Sequence, residues 1–162
     1  GSAFLWARAD RQADLHPVVI SHGFGKGFLA EFDWTGTRDP SPALCVPAAL
    51  DFHARLGGPS LRARNAALAA EGAALVAQRL NSEIGAHGEL TAAMGLVRLP
   101  VAQPADDALA WNIRGRLMDA ACDAPVHALD GALWLRLSAF AYNEADDYVR
   151  LADLLAQVLR TA

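Results

Sequence analysis

The chain has 162 residues, of which 53% are apolar and 20% charged, and its formal net charge is −4. This composition is too apolar for a disordered chain and supports one compact domain or parts of two. No apolar run reaches the roughly 18 residues of a membrane span, and the cationic side chains are too scattered for a nucleic-acid-binding patch. With two distant cysteines and no signal peptide at its start, we expect a cytoplasmic protein without disulfides.

The beginning of the sequence holds short apolar segments between loops. Residues 3–7 and 16–21 are predicted to be two strands, because each is a brief apolar run bounded by polar or turn residues. Alternating glycines predict a loop over 22–28, and Gly, Asp, Pro and Ser predict a second loop over 35–42.

A helix is predicted to follow the second loop, from about Pro42 to Leu56. Ser41 is a suitable N-cap for this helix, and Gly57 with its following glycine ends it. Pro47 falls inside the helix, where we expect a kink or a delayed start.

The rest of the sequence alternates helices and strands. In chain order we predict a helix over 59–80, a turn over 85–88, a strand over 93–99, a helix over 105–121, a strand over 126–129, a hairpin turn at Asp130-Gly131, a strand over 132–139 and a helix from Asn143 or Glu144 to about Arg160. This order predicts a small α+β domain over 58–162, with an antiparallel sheet covered by helices. Residues 1–57 cannot close a core of their own and are predicted to be the tail of a larger α/β domain.

Three stretches together resemble one family. They are Gly1-Ser-Ala-Phe-Leu-Trp6, then Phe32-Asp-Trp-Thr-Gly-Thr-Arg-Asp-Pro-Ser41 leading into Val46-Pro-Ala-Ala-Leu-Asp-Phe52, then Leu133-Trp-Leu-Arg-Leu-Ser-Ala-Phe-Ala-Tyr-Asn143. In order and spacing they resemble the C-terminal part of class V aminotransferase-like enzymes of fold type I, nearest to the isopenicillin N epimerase-like branch. The resemblance implies a pyridoxal 5′-phosphate cofactor, an amino-acid substrate and a homodimer.

The same resemblance places the catalytic lysine outside this sequence. In such enzymes the Schiff-base lysine lies just upstream of a segment like residues 1–6, so we expect it before Gly1 and expect the chain to be an inactive fragment by itself. Lys26 is the one lysine present, and its glycine-rich surroundings favour a solvated side chain over a Schiff base.

Arg136 is the candidate for binding the substrate. It interrupts an apolar strand, where an arginine needs an anion or a solvent-facing side. The resemblance to the family implies that Arg136 binds the α-carboxylate of the substrate. The alternative is an outward-facing arginine, because period two puts Leu135 and Leu137 on one face and Arg136 on the other.

Gly36, Thr37 and Arg38 are the candidates for binding the cofactor. In the resembling family a Gly-Thr loop contacts the cofactor phosphate of the neighbouring subunit, and Arg38 could add charge there. The alternative is an ordinary loop in which Asp39 or Ser41 caps the next helix and Arg38 pairs with Asp39.

The histidines and cysteines provide weaker evidence for a functional site. His22 is a substrate-binding candidate beside the glycine loop, while His127 could lie in a cleft or bond to backbone. No metal-ligand spacing is present, and we expect no metal. Desulfurases of the broad family carry a nucleophilic cysteine just before the arginine-bearing strand. That connection, 124–131, has none here, and Cys122 is predicted at a helix end.

The sequence therefore predicts part of a pyridoxal-phosphate enzyme acting on amino acids as an epimerase, aminotransferase or C–S lyase, but not as a cysteine desulfurase. The alternative is a stand-alone, non-catalytic α+β module that binds a ligand or a partner.

Overall fold

The computed structural model describes residues 1–86, 88–102 and 104–160. The chain divides into two compact units, 1–53 and 54–162. The predicted assignment of the first 57 residues to a larger domain stays a prediction.

Regular structure in the first unit is short. It consists of a 3₁₀ helix at Ala9–Asp14 and the helices α1 (Phe28–Asp33), α2 (Ser41–Leu44) and α3 (Val46–Arg55). Among residues 1–53, all of which the structure describes, only Ser21, Gly23 and Glu31 are buried. The unit therefore has no buried apolar core of its own.

The two strands predicted in this unit are wrong. Residues 3–7 and 16–21 form no strand, and Phe4 and Val18 are 93% and 105% exposed. A strand is stable only when its backbone pairs with a neighbour, and neither segment pairs with one. The glycine loop is confirmed up to Gly27, where α1 begins without a clear sequence signal.

The helix predicted from Pro42 to Leu56 is divided in two at Cys45. Pro47 has no amide hydrogen to continue the first helix, so regular bonding restarts in α3. Ser41 is the first residue of α2 and not its N-cap. The Asp39 carboxylate accepts hydrogen bonds from the Ser41 amide at 2.9 Å and from its hydroxyl at 2.7 Å.

The second unit consists of one antiparallel sheet and three long helices within its described residues. In chain order these are α4 (Pro59–Leu80), β1 (Met94–Arg98), α5 (Asp107–Asp119), β2 (Val126–Leu129), β3 (Ala132–Ser138) and α6 (Ala145–Leu159). The strand order is β1-β3-β2, with Gly95 opposite Leu137 and Ala128 opposite Leu133. The predicted α+β architecture is confirmed.

Local signals explain where these elements begin and end. Asp106 accepts a hydrogen bond from the Leu109 amide at 2.9 Å, and Glu144 with Asp147 forms a capping box on α6. Asp130 and Gly131 have φ of 51° and 73°, the left-handed pair that a type I′ hairpin turn requires. The turn predicted over 85–88 includes His87, which lies outside the described residues.

Leucines and valines from the sheet pack against the three helices. Leu133 and Leu135 on β3 are fully buried with Val97 on β1, Ile113 on α5 and Leu155 on α6. Small residues let these elements approach closely. A Cβ built on Gly95 would lie 2.9 Å from Ala73 Cβ, and one built on Gly72 would lie 2.7 Å from the Tyr148 ring.

Candidate functional site

Arg136 lies near the carboxyl end of β3. Leu135 and Leu137 on either side are buried in the core, as the period-two pattern requires, and Arg136 is half-buried. Its amide donates to the Pro125 carbonyl at 2.8 Å, just before β2 begins. Arg136 is therefore positioned beside the connection between α5 and β2.

A cavity of about 240 Å³ is lined by Arg136 together with residues from that connection and from the start of α6. Its polar lining residues besides Arg136 are Cys122, Asp123, Ser138, Tyr142, Asn143, Asp147 and Tyr148. Nε of Arg136 is buried and has no hydrogen-bond partner within the described residues. An unpaired buried donor is costly, so this guanidinium is suited to an added acceptor such as a carboxylate.

Asp123 is fixed at this cavity by Arg114 of α5. Nε and Nη2 of Arg114 donate to its two carboxylate oxygens at 2.8 and 3.0 Å. These bonds, and secondarily the charge of Arg136, hold the pKa of Asp123 below its ordinary value. Neither Arg114 nor Asp123 belonged to a sequence motif, and no sequence signal singled them out.

Cys122 also lines the Arg136 cavity. It follows the end of α5, its amide donates to the Leu117 carbonyl at 3.0 Å, and burial raises the pKa of its thiol. The sequence predicted Cys122 at a helix end but did not predict that it would line the Arg136 cavity. The thiol lies at the candidate substrate site because the chain turns back at Ala121, which has a positive φ of 54°.

Hydrogen bonds order the segment after β3. Asn143 Oδ1 accepts from the Phe140 amide at 3.0 Å, and Asn143 Nδ2 donates to Asp147 at 3.1 Å. The Tyr148 hydroxyl donates to the Ser138 carbonyl at 2.8 Å. The Tyr-Asn part of the sequence motif therefore has a structural basis, because Asn143 fixes the turn into α6.

The predicted cofactor loop lies in the first unit and is exposed. Gly36 has a φ of 131°, and the Arg38 guanidinium donates to Thr35 Oγ1. Asp39 caps the next helix, as one sequence alternative supposed. A cavity of about 960 Å³ in this unit is lined by Arg38 and Thr35 but not by Gly36 or Thr37.

A histidine–carboxylate pair lies in the same unit and was not predicted. His16 Nδ1 and a carboxylate oxygen of the buried Glu31 are 2.7 Å apart, and the Gly25 amide donates to the other oxygen at 3.2 Å. The hydrogen bond from His16 is the main cause that lowers the pKa of Glu31. His16 lines the same cavity as Arg38.

The remaining candidates are exposed. His22 and Lys26 have solvent-accessible side chains in the glycine loop. His127 is also exposed, opposite Trp134 on the sheet, and lines a separate apolar cavity of about 350 Å³. No group of three metal-ligating side chains occurs in the described ranges 1–86, 88–102 and 104–160. Among the described helices, none is long and apolar enough to cross a membrane.

Comparison with curated proteins reveals relatives of two kinds. An isopenicillin N epimerase of Amycolatopsis lactamdurans is 37% identical over 98% of this chain and 43% of its own length. A probable chloroplastic L-cysteine desulfhydrase of Arabidopsis thaliana is 30% identical over 98% of this chain and 36% of its own length. The chain is a homologue of class V aminotransferase-like enzymes of fold type I. It spans about two fifths of the length of the curated relatives it matches.

Solved structures share the fold of this chain. A cysteine desulfurase of Thermococcus onnurineus matches 97% of the chain and 42% of its own, with a TM-score of 0.67 and 15% identity. An 8-amino-7-oxononanoate synthase of Francisella tularensis matches 85% and 37%, with a TM-score of 0.57 and 16% identity. These homologues and structural neighbours are pyridoxal-phosphate-dependent enzymes. No family model matches the chain.

The predicted exclusion of cysteine desulfurases is wrong. Relatives named L-cysteine desulfhydrase match nearly the whole chain, and a cysteine desulfurase shares its fold. The exclusion relied on the lack of a cysteine in residues 124–131. It set aside Cys122, two residues earlier, as a helix-end residue, whereas Cys122 lines the Arg136 cavity.

Proposed function

We propose that this chain is the C-terminal, substrate-binding part of a pyridoxal-phosphate enzyme that removes sulfur from L-cysteine. The observation that carries the proposal is the half-buried Arg136. Its Nε has no hydrogen-bond partner among the residues that the structure describes, and its cavity is also lined by Cys122. A carboxylate-binding arginine and a thiol in one cavity suit an amino acid that carries sulfur. The desulfhydrase relatives support this substrate class.

Arg136 binds the substrate α-carboxylate in this proposal. A guanidinium offers two parallel N–H donors to a carboxylate, which fixes the orientation of the amino acid as well as its charge. Asn143 and Asp147 hold the adjoining turn in place, so the cavity keeps its shape when the substrate enters.

The cofactor phosphate is assigned to the loop of the first unit. Arg38 and Thr35 line a cavity of about 960 Å³ and provide a cationic donor and a hydroxyl. These two groups are suited to binding a phosphate. Gly36 and Thr37 lie on the same loop but do not line this cavity. In the homodimer that the family resemblance implies, they would contact the cofactor phosphate of the neighbouring subunit. Bound pyridoxal phosphate supplies the electron sink for bond breaking at the amino acid.

A second candidate function is amino-acid epimerisation. It is favoured by the 37% and 33% identity to two isopenicillin N epimerases. Both candidates use the same carboxylate contact at Arg136. They differ in whether a carbon–sulfur bond breaks.

The contact at Arg136 is tested by amino-acid binding to the full-length protein that contains this chain, loaded with pyridoxal phosphate. Arg136→Lys keeps the charge but loses the bidentate fork, which we expect to cost about 1.5–3 kcal/mol, or roughly ten- to a hundredfold in affinity for L-cysteine. Cofactor affinity should stay unchanged. Wild-type amino-acid affinity in both Arg136→Lys and Arg136→Ala would refute the assignment.

Product analysis separates the candidate reactions. Elimination converts L-cysteine and water to pyruvate, ammonia and hydrogen sulfide, whereas transfer of sulfur to a thiol leaves alanine. Cys122→Ser should abolish alanine formation but not pyruvate formation. Racemised substrate with intact carbon–sulfur bonds would favour the epimerase.

A further inference from the structure

Arg114 and Asp123 form an ion pair that is anchored on helix α5. Two hydrogen bonds of 2.8 and 3.0 Å join the guanidinium to the carboxylate in a bidentate arrangement. The Arg114 guanidinium carbon also lies 5.5 Å from the centroid of the Trp111 ring, one turn earlier on the helix. The pair is therefore held from two sides, which distinguishes it from a mobile surface salt bridge.

Asp123 and Arg136 share one cavity. Both residues line the cavity of about 240 Å³, and the positive charge of Arg136 contributes to lowering the pKa of Asp123. The Asp123 carboxylate is thus hydrogen-bonded to Arg114 and is within electrostatic reach of Arg136. An anion near two cations offsets their repulsion and favours orientations in which each guanidinium faces it.

We propose that Asp123 is a positioning residue that orients the Arg136 guanidinium for the substrate carboxylate, and that Arg114 holds Asp123 in place. The inference rests on the proposed function, because it needs Arg136 to bind the substrate. Asp123 touches no reacting atom. Its effect passes through the geometry of Arg136, where a displacement of about 1 Å can cost as much as a hundredfold.

Asp123→Asn tests the proposal in the full-length, cofactor-loaded protein. The amide keeps the size of the side chain but loses its charge. We expect KM for L-cysteine to rise about tenfold with kcat nearly unchanged, because the contact between Arg136 and the substrate carboxylate is weakened alike in the ground state and in the transition state. Asp123→Glu should recover part of the loss.

Arg114→Lys tests the outer part of the network. It keeps the positive charge but not the bidentate fork, so it should raise KM in the same direction. This variant also keeps the test usable if Asp123→Asn does not fold. A rise in KM without a change in melting temperature separates positioning from a general loss of stability.

Asp153→Asn is the matched control. It breaks the ion pair between Arg79 and Asp153, which is 2.6 Å long and lines a different cavity. We expect wild-type KM in this variant. An unchanged or lower KM in both Asp123→Asn and Arg114→Lys would overturn the proposal and leave the carboxylate role of Arg136 standing. Wild-type affinity in both Arg136→Lys and Arg136→Ala would instead overturn the proposed function.

Discussion

Glu31 is a buried residue through which the stability of the first unit depends on pH. Its pKa is lowered chiefly by the hydrogen bond from His16, so the folded state keeps the carboxylate ionised at a lower pH than the unfolded state does. The resulting stabilisation is complete above the ordinary glutamate pKa of about 4.3 and is lost as the pH falls through the lowered value.

The amide of Gly25 should report this titration, because it donates to Glu31 Oε1 at 3.2 Å. We expect its NMR shift to change as the pH falls through the lowered pKa of Glu31, and Glu31→Gln should remove that step. Asp33→Asn is the control, since Asp33 is exposed on the same helix. A Gly25 titration that persists in Glu31→Gln would contradict the pairing.

Residue-level predictions from the sequence succeeded where periodicity decides them. The alternation around Arg136 correctly placed Leu135 and Leu137 in the core. It could not reveal which residues share a cavity with Arg136, because Asp123 reaches that cavity only through the turn after α5. The phosphate role of Gly36, Thr37 and Arg38 and the substrate role of His22 stay predictions.

Among the elements, helices α4 and α6 are held together by a contact that allows no side chain at Gly72. A Cβ there would lie 2.7 Å from the Tyr148 ring, which is anchored by its hydroxyl. Gly72→Ala should therefore destabilise the second unit by about 1–3 kcal/mol despite the better helix propensity of alanine. Chemical denaturation measures the change.

Gly115 offers a matched control on α5. Nothing lies within 4 Å of a Cβ built at this helical position. Gly115→Ala should stabilise the protein by about 0.5–1 kcal/mol, because alanine restricts the unfolded chain and fits the helix. We expect Gly72→Ala to destabilise the protein and Gly115→Ala to stabilise it. Equal stabilisation by both replacements would show that the Tyr148 ring moves to make room for the added methyl group.

Elements with their own local signals were predictable from the sequence. Asp130-Gly131 fixed the hairpin, and the span of α4 matched its prediction because Pro59 starts it and its apolar stripe is regular. The segments 3–7 and 16–21 carried only short apolar runs. Such runs are ambiguous until a pairing strand is known, and none pairs with them here.

Across the whole molecule, exposed apolar surface is concentrated in the first unit. Phe4, Trp6 and Ile20 are 93%, 76% and 83% exposed, and the unit buries no apolar side chain. Abundant exposed apolar surface of this kind favours association. We expect the 162-residue chain, expressed alone, to self-associate in sedimentation experiments.

Replacing Phe4, Trp6 and Ile20 by serine should shift this chain toward the monomer. A control triple variant carries serine at Leu90, Trp111 and Leu129, which are 85%, 67% and 60% exposed in the second unit. If both triple variants associate equally, the first unit is not the source of the association.

Gly95 restricts how this sequence can evolve. Its would-be Cβ meets Ala73 Cβ at 2.9 Å and the Ala69 carbonyl at 3.2 Å, so β1 lies directly against α4. A side chain at position 95 would need the space that the Ala73 methyl group occupies. Ala73→Gly would free that space, but the lower helix propensity of glycine would destabilise α4 by about 1 kcal/mol. A lineage could therefore change position 95 only after a second, individually harmful replacement. In an alignment of homologues that share this contact, Gly95 and Ala73 should vary together or not at all.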